Sequence, residues 1–238
     1  MTQENLNKQI IITAILLIAV VLFFQFTNWD MSLQSYFYNF EGKSWIVDRK
    51  NSILKYIFYD GFKKLFKIFS ILILILVVIS LFKKINIIEQ YKKGLVILLL
   101  SMIFVPALTV SIKGITNMPC PNNLAEYGGR YPDVRIFDSY PKDFIQKSKI
   151  KCWPAGHASM GFSLMALFFL FKKPRNQKIA LGIALVLAWM TGGYKMSIGD
   201  HFLSHTLISM ILGWLIILLI VKSISLLEKV KFRKSTTI

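Results

Sequence analysis

Three histidines make up the whole imidazole complement of this chain, and each opens an apolar run. His157 stands in "CWPAGHASMGF", while His201 and His205 stand in "KMSIGDHFLSH", four residues apart. That spacing is one helical turn, so the pair would share a face. Two lysines hold matching positions: Lys113 closes the apolar run before it, and Lys195 precedes His201 by six residues. This grouping admits three chemistries. A zinc site could use the i, i+4 histidine pair with a third ligand, but the chain has no H-E-x-x-H and no acidic residue on that face to act as base. Structural histidines bonded to backbone carbonyls are a second option, and they leave the clustering with cations unexplained. Phosphoryl transfer through a histidine nucleophile is the third. It needs a nucleophilic imidazole, a second group to protonate the leaving oxygen, and fixed positive charge around the phosphate oxygens. Lys113, His157, Lys195 and His201, each at the end of an apolar segment, would supply these groups. The backbone amides at Ala155 and Gly156, where a helix starts, would add anion-binding donors.

The elements that must bring these residues together are apolar blocks. The chain has 238 residues, 55% of them hydrophobic. Six blocks carry almost no charge, which predicts spans near residues 10–26, 66–82, 94–112, 157–171, 178–193 and 202–221. A bilayer core takes about 20 apolar residues per helix, with roughly 17 as the short limit. Backbone groups inside lipid must be satisfied within the segment. The expectation is therefore an all-α polytopic membrane protein: one domain over 1–238, folded as a six-transmembrane helical bundle. The first block is long for a signal peptide and lacks a small-residue cleavage site after it, so it reads as a retained span.

The formal charge is +17, and its location decides its meaning. "KKINIIEQYKK", "KKPRNQK" and "KVKFRK" flank the spans. Short basic loops remain cytoplasmic, and threading six spans places all three, with both termini, on that side. Nucleic-acid binding is thereby set aside, and anionic lipid headgroups are the natural partner of this charge. The outer face receives residues 27–67, the loop 113–153, and the short segment 192–204, so all three histidines gather there. Within the first of these, "NSILKYIFYDGFKKLFK" carries an apolar stripe at helical spacing. It reads equally as a helix lying in the membrane interface or as an ordinary packing helix. Cys120 and Cys152, the two cysteines of the chain, share the outer loop. They are either a disulfide or two free thiols, and an oxidising compartment favours the bridge.

The spacing of these residues resembles the membrane branch of the type 2 phosphatidic acid phosphatase family. That family carries Lys-x6-Arg-Pro, Pro-Ser-Gly-His and Ser-Arg-x5-His-x3-Asp. Here "KGITNMPCP" keeps Lys113 and Pro121, with Cys120 in place of arginine. "PAGH" keeps Pro154, Gly156 and His157, with Ala155 in place of serine. "YKMSIGDHFLSH" keeps His201, with Lys195 in place of arginine and His205 in place of aspartate. The resemblance implies that His201 attacks phosphorus and that His157 protonates the leaving alkoxide and then activates water. It also implies that Lys113 and Lys195 hold the phosphoryl oxygens, with no metal and no cofactor.

The departures set further expectations. Lysine is a point charge where arginine offers a planar fork, so Arg130, or secondarily Arg135, would supply the missing guanidinium. His205 would accept a hydrogen bond from His201 in place of the carboxylate, or Glu126, Asp138 or Asp200 would do so instead. Asp200 lies about 100° from His201 on a helix and is a poor direct support. The "CP…YGG", "C-x-PAGHAS" and "HFLSH" pattern is similar to a lipid A phosphatase-like bacterial subgroup. It implies a site on the periplasmic face of the inner membrane and a phosphorylated membrane lipid as substrate. Lipid A is the first candidate; undecaprenyl diphosphate and phosphatidylglycerol phosphate are alternatives. A lipid phosphotransferase would use the same residues. A lipid-binding or transport protein without turnover would share the cations and need no nucleophile.

Overall fold

The apolar blocks and their polar breaks dictate where helices start and stop. The computed structural model describes residues 2–235. Within them the chain forms α1 (Gln3–Phe26), α2 (Trp29–Ser35), α3 (Ser52–Lys55), α4 (Phe62–Phe82), α5 (Asn86–Ile115), α6 (Gly156–Ser163), α7 (Pro174–Ser197) and α8 (Leu203–Ser235). A two-stranded ribbon, Tyr38–Asn39 paired with Ser44–Trp45, and an isolated bridge between Leu124 and Tyr131 are the β structure among the described residues. Thr2 caps α1 through its side chain, which accepts from the amide of Asn5 at 3.3 Å. Pro174 sits at the first position of α7, where its missing N–H leaves no intrahelical bond unmade.

Five helical segments are long and apolar enough to cross a membrane: Gln3–Phe26, Ser52–Phe82, Asn86–Ile115, Pro174–Ser197 and Leu203–Val230. The block expected to span 157–171 forms a shorter unit. Eight α-helical residues continue as a 3-10 turn, Leu164–Phe169. At the usual rises this unit is about 24 Å long, against about 30 Å for a bilayer core. Among the described residues there are thus five full-length apolar helices and one shorter helical unit. Leu170 and Phe171, counted apolar in the sequence, fall outside this helix.

The short helix is also the most enclosed element. α5, α7 and α8 surround α6, with α1 outside on α8 and α4 outside on α5. The apolar windows of α1 and α4 are only 11% and 17% buried, whereas those of α5, α7 and α8 are 39–44% buried. The outer pair therefore presents its aliphatic side chains to lipid. Close approach depends on small residues, as expected where lipid removes the hydrophobic drive between helices. A Cβ on Gly161 would lie 2.6 Å from the Cα of Ala188, so α6 and α7 touch backbone to backbone. Polar side chains inside the bundle bond locally: Ser101 and Thr109 donate to the carbonyls of Ile97 and Val105, four residues back.

The stripe over residues 51–67 is not a separate helix. It enters α4 directly through a π-helical turn, Tyr56–Gly61, because nothing in it breaks a helix. A second apolar cluster, containing Tyr38, Leu124, Tyr127, Trp153 and Phe202, caps one end of the bundle. The ribbon, the loop before α6 and the α7–α8 turn all meet there.

Candidate active site

His201 occupies the turn Ile198–Phe202 between α7 and α8, and that turn is fixed from every side. The amides of Asp200 and His201 both donate to the Lys195 carbonyl, at 2.8 and 3.3 Å. Gly199 has φ 74°, and a Cβ there would lie 2.2 Å from the indole of Trp45, so the ribbon rests directly on the turn. Glycine is required both by that backbone conformation and by the contact. Gln34 donates to the Met196 carbonyl at 2.9 Å, and the Asn122 amide donates to the Gly199 carbonyl at 2.9 Å. Asp30, from α2, accepts from the Ser204 amide at 2.9 Å and so caps the start of α8 from outside the helix. Burial raises the Asp30 carboxyl to about 6, although the hydrogen bond from the Ser204 amide pulls the other way.

The two histidines of the last motif face each other. His201 Nδ1 lies 3.3 Å from His205 Nδ1, and both residues are buried. One ring must donate and the other accept. When His201 donates, its Nε2 keeps a lone pair, which is the state a nucleophile needs. His205 then serves as the acceptor, where the family pattern has aspartate. Burial is the main cause that holds the His201 imidazole well below its ordinary value; His205, Lys113, Lys195 and His157 add to it. His201 is therefore neutral at pH 7. The remaining nitrogen of His205, Nε2, is buried without a hydrogen-bond partner among the described residues.

The other expected residues arrive from separate helices. Lys113 lies in the last turn of α5. A Cβ on Gly156 would have Lys113 Cδ at 4.0 Å, which puts the lysine alongside the start of α6. The first amides of α6 lack intrahelical partners, and Ala155 offers no side-chain cap to them. Its amide donates to the His205 carbonyl at 3.1 Å, fastening α6 to α8. The His157 ring lies 4.5 Å from the ring of Tyr59, centroid to centroid. Lys195 Nζ stands 4.1 Å from the same Tyr59 centroid. Cys120 and Cys152 have their sulfurs at bonding distance, 2.01 Å. Cys152 Sγ also lies 3.6 Å from His201 Nδ1, so the bridge walls one side of the His201 ring. Cys152, His201 and His205 are spaced as metal ligands would be. A sulfur committed to a disulfide provides no thiolate, and the set does not suit zinc.

Arg130 is exposed, and its guanidinium has no hydrogen bond or ion pair among the described residues. Arg135 is engaged elsewhere, donating to the carbonyl of Gln25 at 2.7 Å, bonding Asn28, and pairing with Asp133 at 3.7 Å. It anchors the loop before α6 to the end of α1. Glu126 is exposed, and Asp138 accepts from Gln25 at 2.8 Å. Neither comes between His201 and its neighbours. Asp200 is not on a helix, and its carboxylate pairs with Lys195 at 2.7 Å. Two residues at the site have no signal in the sequence. Tyr59 falls within the apolar-striped stretch, and the π turn swings it over His157. Arg49 reaches Asp200 from the segment after the ribbon. No motif spacing connects either to the histidines.

Residues 94–228 match the sequence pattern of the PAP2 superfamily, and this segment holds Lys113, His157, Lys195, His201 and His205. The chain belongs to the PAP2 superfamily. Membership makes it a phosphoric monoester hydrolase by class. The chain is also similar in fold to a solved structure described as the first transmembrane PAP2-type phosphatidylglycerolphosphate phosphatase from Bacillus subtilis. The two share 18% identity, with a TM-score of 0.56, over 91% of this chain and 96% of that one. No curated protein matches the sequence. Arg49 and Tyr59 lie before the PAP2 segment, so they are contributions of the N-terminal third.

Proposed function

We propose that this protein is a metal-independent membrane lipid phosphatase that works through a phosphohistidine on His201. The observation that carries the reading is the 3.3 Å contact between His201 and His205 at Nδ1, with Lys113, His157 and Lys195 near enough to act on the same ring. His201 Nε2 attacks phosphorus and the P–O bond to the lipid breaks. His157, which takes up a proton as the phosphate dianion binds beside it, gives that proton to the departing alkoxide. Neutral His157 then takes a proton from water, whose oxygen attacks phosphorus, breaks the P–N bond and releases inorganic phosphate. Lys113, Lys195 and the first amides of α6 bind the equatorial oxygens as charge moves onto them.

The bundle crosses six times, with the short α6 unit as the fourth crossing. It lies in the bacterial inner membrane with both termini cytoplasmic and the site facing the periplasm. Support comes from the basic loops 83–93 and 172–178, which fall on one side in that threading. The substrate is a phosphorylated lipid with a bulky anionic headgroup, lipid A first. Phosphatidylglycerol phosphate is the second reading, favoured by the activity of the Bacillus subtilis phosphatase that shares this fold.

The deciding experiment incubates purified protein with lipid A, undecaprenyl diphosphate and phosphatidylglycerol phosphate, measures free phosphate, and repeats the panel with His201→Ala. Phosphate release lost in the variant supports the reading. Silence of the native protein on every lipid rejects it. Transfer of label to a second lipid instead of water would make the protein a phosphotransferase.

A further inference from the structure

The two arginines missing from the motifs leave the site with lysines alone, yet a guanidinium stands at its edge. Three chain segments converge on the Asp200 carboxylate. Lys195 Nζ contacts Oδ2 at 2.7 Å, Asn122 Nδ2 donates to Oδ1 at 3.1 Å, and Arg49 pairs with the same Oδ1. The backbone around Arg49 is fixed on both sides. Trp45 packs on Gly199, and the side chain of Asn51 caps α3 by accepting from Leu54 at 3.0 Å. Arg49 is half exposed, at 55%, whereas Lys195 is 12% exposed. With more than half of it open to solvent, its long side chain has room to change rotamer while the backbone on either side stays held.

We infer that Arg49 is a phosphate-binding residue, supplying from the N-terminal segment the guanidinium that the PAP2 motifs lack here. A carboxylate held by a guanidinium, an ammonium and an amide presents oxygen acceptors to the same donors that a phosphoryl group would use. Charge agrees with the geometry. Lys113, Lys195 and Arg49 against Asp200 leave two positive charges, matching a phosphate monoester that carries about −1.5 to −2 at neutral pH. Arg49 leaves Asp200 for a phosphoryl oxygen by rotation of its own side chain. Lys195 turns from the carboxylate to a second oxygen while remaining over the Tyr59 ring. The exchange trades two ion pairs to Asp200 for two to the phosphoryl oxygens, and no covalent bond is made or broken. It deepens the lipid phosphatase reading and rests on it.

The test uses the full chain in detergent and orthovanadate, a phosphate mimic, as probe. Vanadate affinity by calorimetry, the KM for lipid phosphate and the unfolding midpoint are measured for native protein, Arg49→Ala and Arg49→Lys. Loss of one charged hydrogen-bonding group predicts vanadate affinity and KM both weakened about 10- to 100-fold in Arg49→Ala. Arg49→Lys should recover part of this, and the midpoint should stay unchanged. Unaltered vanadate affinity in Arg49→Ala, with native protein releasing phosphate, overturns the inference and leaves the phosphatase standing. Native protein that binds vanadate through Arg49 but releases no phosphate upholds the anion site and overturns the phosphatase. Native protein that neither binds nor releases removes both.

Discussion

At the scale of residues, the site turns on a carboxylate exchanged for an imidazole. In the PAP2 pattern an aspartate would orient the nucleophile and stabilise its charge; here His205 can orient His201 but adds no negative charge. Removing the acceptor leaves His201 free to choose the wrong tautomer. A comparable loss in a serine protease triad costs about 10⁴ in kcat, and His205 is the weaker partner. His205→Ala is therefore expected to lower kcat about 10²- to 10³-fold with a smaller change in KM, read by phosphate release. His205→Asp should retain activity, since it restores the carboxylate to its family position. The His201 ring is buried neutral and resists protonation. In the unfolded chain it takes up a proton near its ordinary value of about 6.5. Its contribution to stability is thus present above that value and is lost as pH falls below it. The unfolding midpoint in detergent is expected to drop between pH 7 and pH 5, and to drop less in His201→Ala. Asp30 works in the opposite sense: its raised value makes ionisation unfavourable in the fold as pH rises toward about 6.

At the scale of elements, the short helix α6 carries His157 and is held at its start by neighbours instead of by length. The Ala155 amide bonds to α8, and the Cys120–Cys152 bridge pins the approach to it. Replacing both cysteines by serine opens a loop with a sequence separation of 32. The chain-entropy account puts the cost at about 3–4 kcal/mol, measurable as a lower unfolding free energy, with kcat falling because the bridge walls His201. Farther along α6, Gly161→Leu would drive a side chain into the backbone of Ala188. Overpacking of this kind costs about 1–3 kcal/mol, and separating α6 from α7 should lower activity along with the midpoint. The cap on α8 separates two functions of one residue. Asp30→Asn keeps an acceptor for the Ser204 amide without burying a charge. It is expected to match or exceed native stability at pH 8, whereas Asp30→Ala should lose about 1 kcal/mol.

At the scale of the whole molecule, lipid-facing α1 and α4 surround an inner group whose ends carry the chemistry. The PAP2 segment contains the histidines and both lysines, while residues before it cover them. A six-crossing topology gives a clear expectation. Single cysteines at Lys84 and Lys173, in a chain whose own cysteines are replaced by serine, should react with an impermeant thiol probe only from the cytoplasmic side. A cysteine at Arg130 should react from the other side. Labelling at Arg130 and at Lys173 from the same side would require α6 not to cross.

The sequence by itself determined the family, the apolar segments and the five motif residues. Hydropathy and motif spacing are properties of the linear chain, so they survive without coordinates. It also indicated that His157, His201 and the lysines sit at segment ends. The tertiary structure alone decided that α6 is short and enclosed, that the exposed Arg130 bonds none of the described residues through its guanidinium, and that Tyr59 and Arg49 reach the site. Arg49 meets Asp200 across 151 positions. Contacts at that separation depend on how helices pack and how a ribbon folds over their ends, and no local period or spacing records that.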